Sequence, residues 1–284
     1  MTEATPPGYV PTPRPTFDSA TVIRSEDAVT ATWGDDVSGR VFDRIFVSSS
    51  KIHHIIYELE PHGAFTHSEE YRTIFAAYEV MYVLSGELAL ANPETGEVVR
   101  AVPGEAVAFG PDTWHHGFNE SADKLRVLEF FAPPPSTGTS GAYARTRPML
   151  ERSRYTRDDL LASWPDAHAS GSRTTLRVVR EPDYLWRIEG ETNRSLFGVI
   201  ASWPQLTVGK LHLPPARITD ARRHGGDMSL LVVAGSVTTQ LAEETIELHT
   251  NDALYVPEGE EYRLQNTSTH PAALVCGVAP RYLS

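Results

Sequence analysis

Two short segments of the chain hold residue types able to do chemistry. Glu79-Val-Met-Tyr-Val-Leu-Ser-Gly86 opens an apolar run on a carboxylate and closes it on glycine. Gly104-Glu-Ala-Val-Ala-Phe-Gly-Pro111-Asp-Thr-Trp-His115-His116-Gly-Phe-Asn119 carries two adjacent imidazoles just past a proline. Each reads as a β-strand running into or out of a turn. A carboxylate and imidazoles gathered in a small β-barrel could hold a divalent ion, and these donors suit Fe(II), Mn(II) or Zn(II). Such an ion could polarise a carbonyl, lower the pKa of bound water, or bind O₂ beside a chelating substrate. The imidazoles must be neutral to ligate, so metal affinity would fall in acid.

The elements that would position these residues are short and strand-like. Arg40-Val-Phe-Asp-Arg-Ile-Phe-Val, His53-His-Ile-Ile-Tyr-Glu-Leu, Glu79 to Leu84, Leu88-Ala-Leu-Ala, Ala106-Val-Ala-Phe and Leu125-Arg-Val-Leu-Glu-Phe-Phe-Ala follow one another, separated by Gly and Pro turns. Strands at this spacing predict a sandwich or barrel. Pro133-Pro-Pro-Ser-Thr-Gly-Thr-Ser-Gly then reads as a connector. Thr156-Arg-Asp-Asp-Leu-Leu-Ala-Ser-Trp predicts a short helix capped by Thr156, with Asp158 and Asp159 in its first turn. A second strand-rich block follows, and it repeats the first. Leu230-Leu-Val-Val-Ala-Gly235 matches Met81 to Gly86, and Asn251-Asp-Ala-Leu-Tyr-Val-Pro257 matches Pro103 onward. A period of about 150 residues is a duplicated domain, not a solenoid.

Composition narrows the function classes. The 284 residues are 40% hydrophobic and 22% charged, as in a globular protein with a sizeable core. The formal net charge of −12 opposes binding to phosphate backbones and to anionic membranes. One thiol, Cys276, cannot form an internal disulfide, and its apolar setting reads as core. No secretory leader is expected from the first residues, and no apolar run approaches the ~20 residues of a membrane span. A cytoplasmic protein without nucleic-acid or membrane partners is expected.

The paired segments resemble the cupin superfamily, and their duplication resembles a bicupin. The cupin pattern has a His-x-His pair, a Glu three or four residues later and a Gly seven beyond it; its second part is Gly-x5-Pro-x-Gly-x2-His-x3-Asn. Glu79 and Gly86 keep the seven-residue step, and Gly104, Pro111 and His116 follow the second part. The resemblance implies an all-β fold of two double-stranded β-helix (jelly-roll) barrels joined by a partly helical linker. The implied layout is an extended arm over 1–36, a barrel over 37–133, a linker over 134–188 and a barrel over 189–284. It further implies one divalent transition metal per chain, Fe(II) or Mn(II) before Zn(II), Ni(II) or Co(II), and a homodimer.

The expected ligands are His67, Glu79 and one of His115 and His116. No His-x-His stands beside Glu79; His67, twelve residues upstream, is either a ligand on a lengthened loop or not a ligand at all. Adjacent strand residues face opposite ways, so only one of His115 and His116 can reach an ion. Asn119 lies four after His115, but Pro111 lies five before His116, and Trp114 and Phe118 share the His116 face, so His116 is expected. In the second block Met228 and Tyr262 replace the Glu and His, and only His224 remains of the first motif, so that half is expected to be structural. Glu129, Arg72 and Tyr78 are candidate catalytic residues: Glu129 as a base or orienting group, Arg72 as an anchor for a substrate carboxylate, Tyr78 in the pocket wall. The implied function is a metal-dependent enzyme acting on a small organic molecule, an Fe(II)/Mn(II) oxygenase of an aromatic or keto/hydroxy acid. Redox-neutral isomerase, lyase or aminohydrolase chemistry and a non-catalytic binding protein are the alternatives.

Overall fold

The computed structural model describes residues 12–134, 147–165, 174–241 and 244–283. The first half contributes β1 (Thr21–Ile23), β2 (Val29–Asp35), β3 (Gly39–Ser48), β4 (His53–Leu59), β5 (Ala64–Phe65), β6 (Tyr78–Ser85), β7 (Leu88–Asn92), β8 (Glu97–Ala101), β9 (Ala106–Phe109), β10 (His116–Asn119) and β11 (Leu125–Ala132). The second contributes β12 (Arg177–Val179), β13 (Leu185–Glu189), β14 (Ser195–Trp203), β15 (Leu206–Leu213), β16 (Asp227–Ala234), β17 (Ser236–Leu241), β18 (Glu244–His249), β19 (Ala253–Val256), β20 (Tyr262–Gln265) and β21 (Ala272–Ala279). The all-β expectation holds.

Each half closes a barrel from a large and a small sheet. The large sheets run β12-β9-β6-β11-β4-β3-β2 and β1-β19-β16-β21-β15-β14-β13, and the small ones β5-β10-β7-β8 and β18-β17-β20. The two large sheets are built alike, down to the three-residue strand at one edge. That edge strand is exchanged: β1, which precedes the first barrel, pairs with β19 of the second, and β12, which precedes the second, pairs with β9 of the first. The expected arm is therefore a strand of the other barrel at Thr21–Ile23, and β2 already belongs to the first barrel before residue 36. Residues 1–11 of the arm and 135–146 of the linker lie outside the described residues.

Alternation along the central strands sorts side chains into two cores. Val41 and Ile45 of β3, Ile55 and Tyr57 of β4, Met81 and Val83 of β6, Val107 and Phe109 of β9 and Val127 and Phe131 of β11 fill the first barrel. Their neighbours Phe46, Ile56, Val80, Tyr82, Ala106, Ala108, Leu128 and Phe130 face out and pack against Val208, Leu231, Tyr255 and Val275 of the second barrel. The central strands read as near-continuous apolar runs because both faces are covered. At Gly277 the two sheets approach so closely that a Cβ would lie 2.7 Å from Phe130 and 3.1 Å from Ile52.

The linker departs from expectation. The helix foreseen from Thr156 is a single 3₁₀ turn at Asp158–Leu160, without a side-chain cap. None of its residues is buried, and a helix this short needs a packed apolar face to persist. Instead Arg157 grips Asp159, and the Thr156 carbonyl lies where a Cβ on Gly96 would sit, which fits the segment to the β7–β8 hairpin.

Gly277→Ala is expected to wedge the barrels apart and lower stability by about 1–3 kcal/mol. A urea midpoint unchanged from the wild type would show that the interface tolerates the extra methyl.

Candidate functional site

The first barrel holds a cavity of about 90 Å³. Its walls are mainly apolar and aromatic, including Trp33, Tyr57, Phe65, Phe75 and Phe131, and its polar groups include Asp43, His53, Thr73, His115 and Glu129. Thr12 of the arm also lines it; close by, the Pro15 carbonyl accepts from the Ser48 amide and Arg14 donates to the Ser49 carbonyl.

Strand register brings the carboxyl groups together. Glu129 sits opposite Met81 across the β11–β6 ladder, and Glu79 opposite Phe131, so both carboxyls project inward one pleat apart. Glu79 is 1% exposed and, among the described residues, neither of its oxygens has a hydrogen-bond donor; its carboxyl meets that of Glu129. Two buried carboxyls in contact cannot both ionise. Burial first, then the neighbouring acid, holds Glu79 well above the ordinary carboxylate range, and burial pushes Glu129 up to about 7. Asp43, inward on β3, is also raised, by burial and then by Glu129.

His115 completes the polar end. Its Nε2 lies 3.9 Å from Glu79 Oε2. Its Nδ1 is 3.1 Å from the Thr113 carbonyl, which can only accept, so Nδ1 carries the proton and Nε2 keeps a lone pair. Burial holds the ring neutral, with its pKa lowered to about 4. His53 faces the same cavity, stacked on Phe131 and bonded to Ser48 Oγ at 2.8 Å. His54 points the other way, to Ser229 Oγ of the second barrel at 2.6 Å.

Four expected site residues lie elsewhere: His116, His67, Arg72 and Tyr78. His116 faces away from the cavity, onto the outer side of the small sheet, because it follows His115 on a strand. There the His67 Nδ1 and His116 Nε2 are 2.6 Å apart, His67 Nε2 reaches the Leu150 carbonyl at 3.2 Å, and His116 Nδ1 meets Tyr155 Oη at 2.8 Å. Every ring nitrogen of the pair is engaged, and linker residues the sequence did not single out, Leu150 and Tyr155, close the set. Trp114 packs at a tilt against His67, and Phe118 edge-to-face against Tyr155, so the face they share with His116 is this outer one. Arg72 donates to the Arg147 carbonyl and lies 3.6 Å from Glu69, outside the cavity. Tyr78 stacks on Trp203 at the barrel–barrel contact.

The register error has a cause. Eleven residues from Gly104 lead to His115, and Asn119 lies four beyond it, as the motif demands; only the proline is displaced by one. The second half confirms the alignment. Asn119 and Asn266 make the same loop-bracing bonds, to the Leu59 and Asp123 carbonyls and to the Leu213 and His270 carbonyls. Asp112 and Gly259 both take positive φ, so Pro257 aligns with Gly110 and Tyr262 with His115.

The same bonds locate the missing His-x-His. The His115 amide donates to the Thr73 carbonyl and the Asp112 amide to Phe75; in the second barrel the Tyr262 amide donates to Arg222 and the Gly259 amide to His224. Thr73 and Phe75, six and four residues before Glu79, therefore stand where the motif places two imidazoles. That spacing was open to a count from Glu79. The implied metal does not fit what remains. A hydroxyl and a phenyl ring replace two nitrogen donors, and Phe75 packs on the His115 and Phe131 rings. Among the described residues no group of three or more His, Cys, Asp or Glu is arranged to hold a metal ion. The second barrel has Arg222, His224, Met228 and Tyr262 at the four positions, with His224 bonded to Tyr262 Oη and the Tyr282 carbonyl.

The chain matches the family described as cupin domain twice, over residues 56–131 and 209–278, and it belongs to that family. Those two matches, each on one barrel, also establish a bicupin. No curated protein matches it. Among solved structures it is similar to a Pseudomonas aeruginosa protein described as glyoxylate induced (15% identity, 97% of this chain and 94% of that one, TM-score 0.65). It is also similar to YlbA from E. coli (9% identity, 92% and 90%, TM-score 0.62) and to a variant of Bacillus subtilis oxalate decarboxylase (11% identity, 95% and 80%, TM-score 0.63). At these identities the likeness is one of fold. No helix among the described residues is long and apolar enough to cross a membrane.

A raised carboxyl pKa means that the folded state keeps a proton the unfolded chain releases, so stability is lost as pH rises from the ordinary Glu range through about 7. Glu129→Gln removes that loss. Its stability relative to the wild type should rise between pH 5 and pH 8, by up to about 3 kcal/mol. Urea unfolding at the two pH values reads the difference; a constant offset would contradict the raised pKa.

Proposed function

We propose that the first barrel is the active site of a cupin enzyme that catalyses a redox-neutral proton shift on a small organic molecule, with Glu129 as the base. The observation that carries this reading is the contact between the buried Glu79 and Glu129 carboxyls beside an aromatic-lined cavity. Glu129 lines the cavity, and its pKa of about 7 matches a general base to neutral pH. Burial sets this basicity, and Glu79, whose carboxyl meets that of Glu129 from behind, tempers it and is a positioning residue. The Glu129 carboxylate takes a proton from one position of the ligand and returns it to another, so no electron acceptor is consumed. The neutral His115 offers Nε2 as a hydrogen-bond acceptor that orients the ligand.

The oxygenase expected from the family resemblance needs a metal with open positions, and with Thr73 and Phe75 in the motif the donor set gives it little support. A proton shift requires only the carboxyl pair.

Solvent-deuterium exchange tests the reading. The protein, treated with chelator, is incubated in D₂O with a panel of small carbon acids, and label incorporation is followed by mass spectrometry. Incorporation should survive chelation and fall by about 10²-fold or more in Glu129→Gln, while Glu79→Gln should shift its pH dependence. Turnover that vanishes with the chelator and returns with Fe(II) or Mn(II) would restore the oxygenase instead.

A further inference from the structure

We propose that the ligand of the first barrel is a small organic ammonium ion. This rests on the reading of the cavity as the active site and names the class of molecule it takes.

The ionisable inventory of the cavity is one-sided. Asp43, Glu79 and Glu129 are 7%, 1% and 6% exposed, and together they put three carboxyl groups on one barrel interior. Among the described residues, no lysine or arginine lines the cavity. Arg14, on the arm, acts on His53 and donates to the Ser49 carbonyl. The forces on Glu79, Glu129 and Asp43 are burial and one another, with no cation among them. His115 adds another acceptor, because its proton is committed to Thr113. Among the described residues, Thr73 Oγ1, buried in the wall, has no partner, and neither does either oxygen of Glu79. Ionising one of these buried carboxyls without a donor costs several kcal/mol, which is what raises their pKa values. A ligand that brings positive charge and N–H donors offsets that cost; an anion would add to it.

The remaining walls suit the same ligand. Trp33, Tyr57, Phe65, Phe75 and Phe131 ring the cavity, and aromatic faces attract desolvated cations. A volume of about 90 Å³ has room for on the order of six to nine water-sized atoms. The molecule is therefore a compact amine with an apolar body. This reverses the charge expected from the sequence, where Arg72 was to anchor a carboxylate; that guanidinium is outside the cavity, holding the Arg147 carbonyl.

Calorimetric titration of the full chain with three probes of one shape decides the matter: benzylammonium, benzyl alcohol and benzoate at neutral pH, with Zn(II) and Mn(II) titrated separately. Benzylammonium should bind at least about tenfold more tightly than benzyl alcohol, or about 1.4 kcal/mol, and benzoate more weakly than both. Glu129→Gln, checked for folding by circular dichroism, should cut the preference to about twofold or less. Equal binding of the alcohol, or preference for benzoate, overturns the ammonium and leaves the proton-shift reading to its own deuterium test. Refusal of all three organic probes, with or without stoichiometric uptake of a divalent ion, overturns both.

Discussion

The constraint on which this structure depends is the two-residue alternation of strands that are buried on both faces. In β4, β6, β9 and β11 every odd position serves the first barrel and every even one serves the contact with the second. A neighbour in sequence is thus never a neighbour in environment. His53 faces the cavity while His54 stacks between Phe46 and Phe130 at the barrel contact. Glu79 faces Glu129 while Tyr78 lies on Trp203. His115 joins the cavity while His116 joins the linker. A slip of one residue on such a strand transfers a side chain from one chemistry to another. The close approach at Gly277 locks the two sheets, and with them the register, in place.

That constraint explains what the sequence disclosed. The duplicated β-barrel was legible because it is written in runs of apolar residues, glycine turns and a repeat, and each is a local or periodic signal. The inward placement of Glu79 was legible in the same way, as a polar residue opening an apolar strand, whereas Glu129 could equally have faced outward by sequence alone. The choice between His115 and His116 turned on one displaced proline. In the second half Pro257-Glu258-Gly259 makes the turn; in the first Gly110-Pro111-Asp112 makes it, with Asp112 adopting the left-handed φ that Gly259 adopts. Aspartate tolerates that conformation better than most residues, so the turn survived while its proline moved. Gly104 and Asn119 were the better rulers, because each is tied to backbone outside that turn, Gly104 to the Val83 carbonyl and Asn119 to the Leu59 and Asp123 carbonyls.

The linker was not legible, for a different reason. Leu150 and Tyr155 complete the bonding of His67 and His116 from a segment without hydrophobic period. Arg147 pairs with Glu94 and Arg154 caps the Glu94 carbonyl, which fastens the segment to the first barrel by single polar contacts. Contacts of this kind leave no trace in spacing. The helix foreseen around Asp158 failed for the complementary reason: its capping residues were in order, but it had no buried face to hold it.

The two barrels lost different parts of one motif, and they differ in what was done with the remainder. In the second, every polar group at the former site has a partner: Arg222 binds Glu189 and Ser195, Tyr282 binds Glu189, and His224 bridges Tyr262 and the Tyr282 carbonyl. Met228 and Cys276 stand where the first barrel has Glu79 and Glu129, as the matching β16–β21 and β6–β11 ladders show. The second barrel thus shows that this fold can fill its interior with methionine and cysteine and leave nothing unsatisfied. The first retains two carboxyls in contact and a buried hydroxyl without a partner, and an unsatisfied buried group costs about 1–3 kcal/mol. Packing does not require that arrangement, since the sister barrel solves the same packing without it. A site kept unsatisfied at the expense of stability, next to a copy relieved of the same burden, is what a barrel that must receive a ligand is expected to look like.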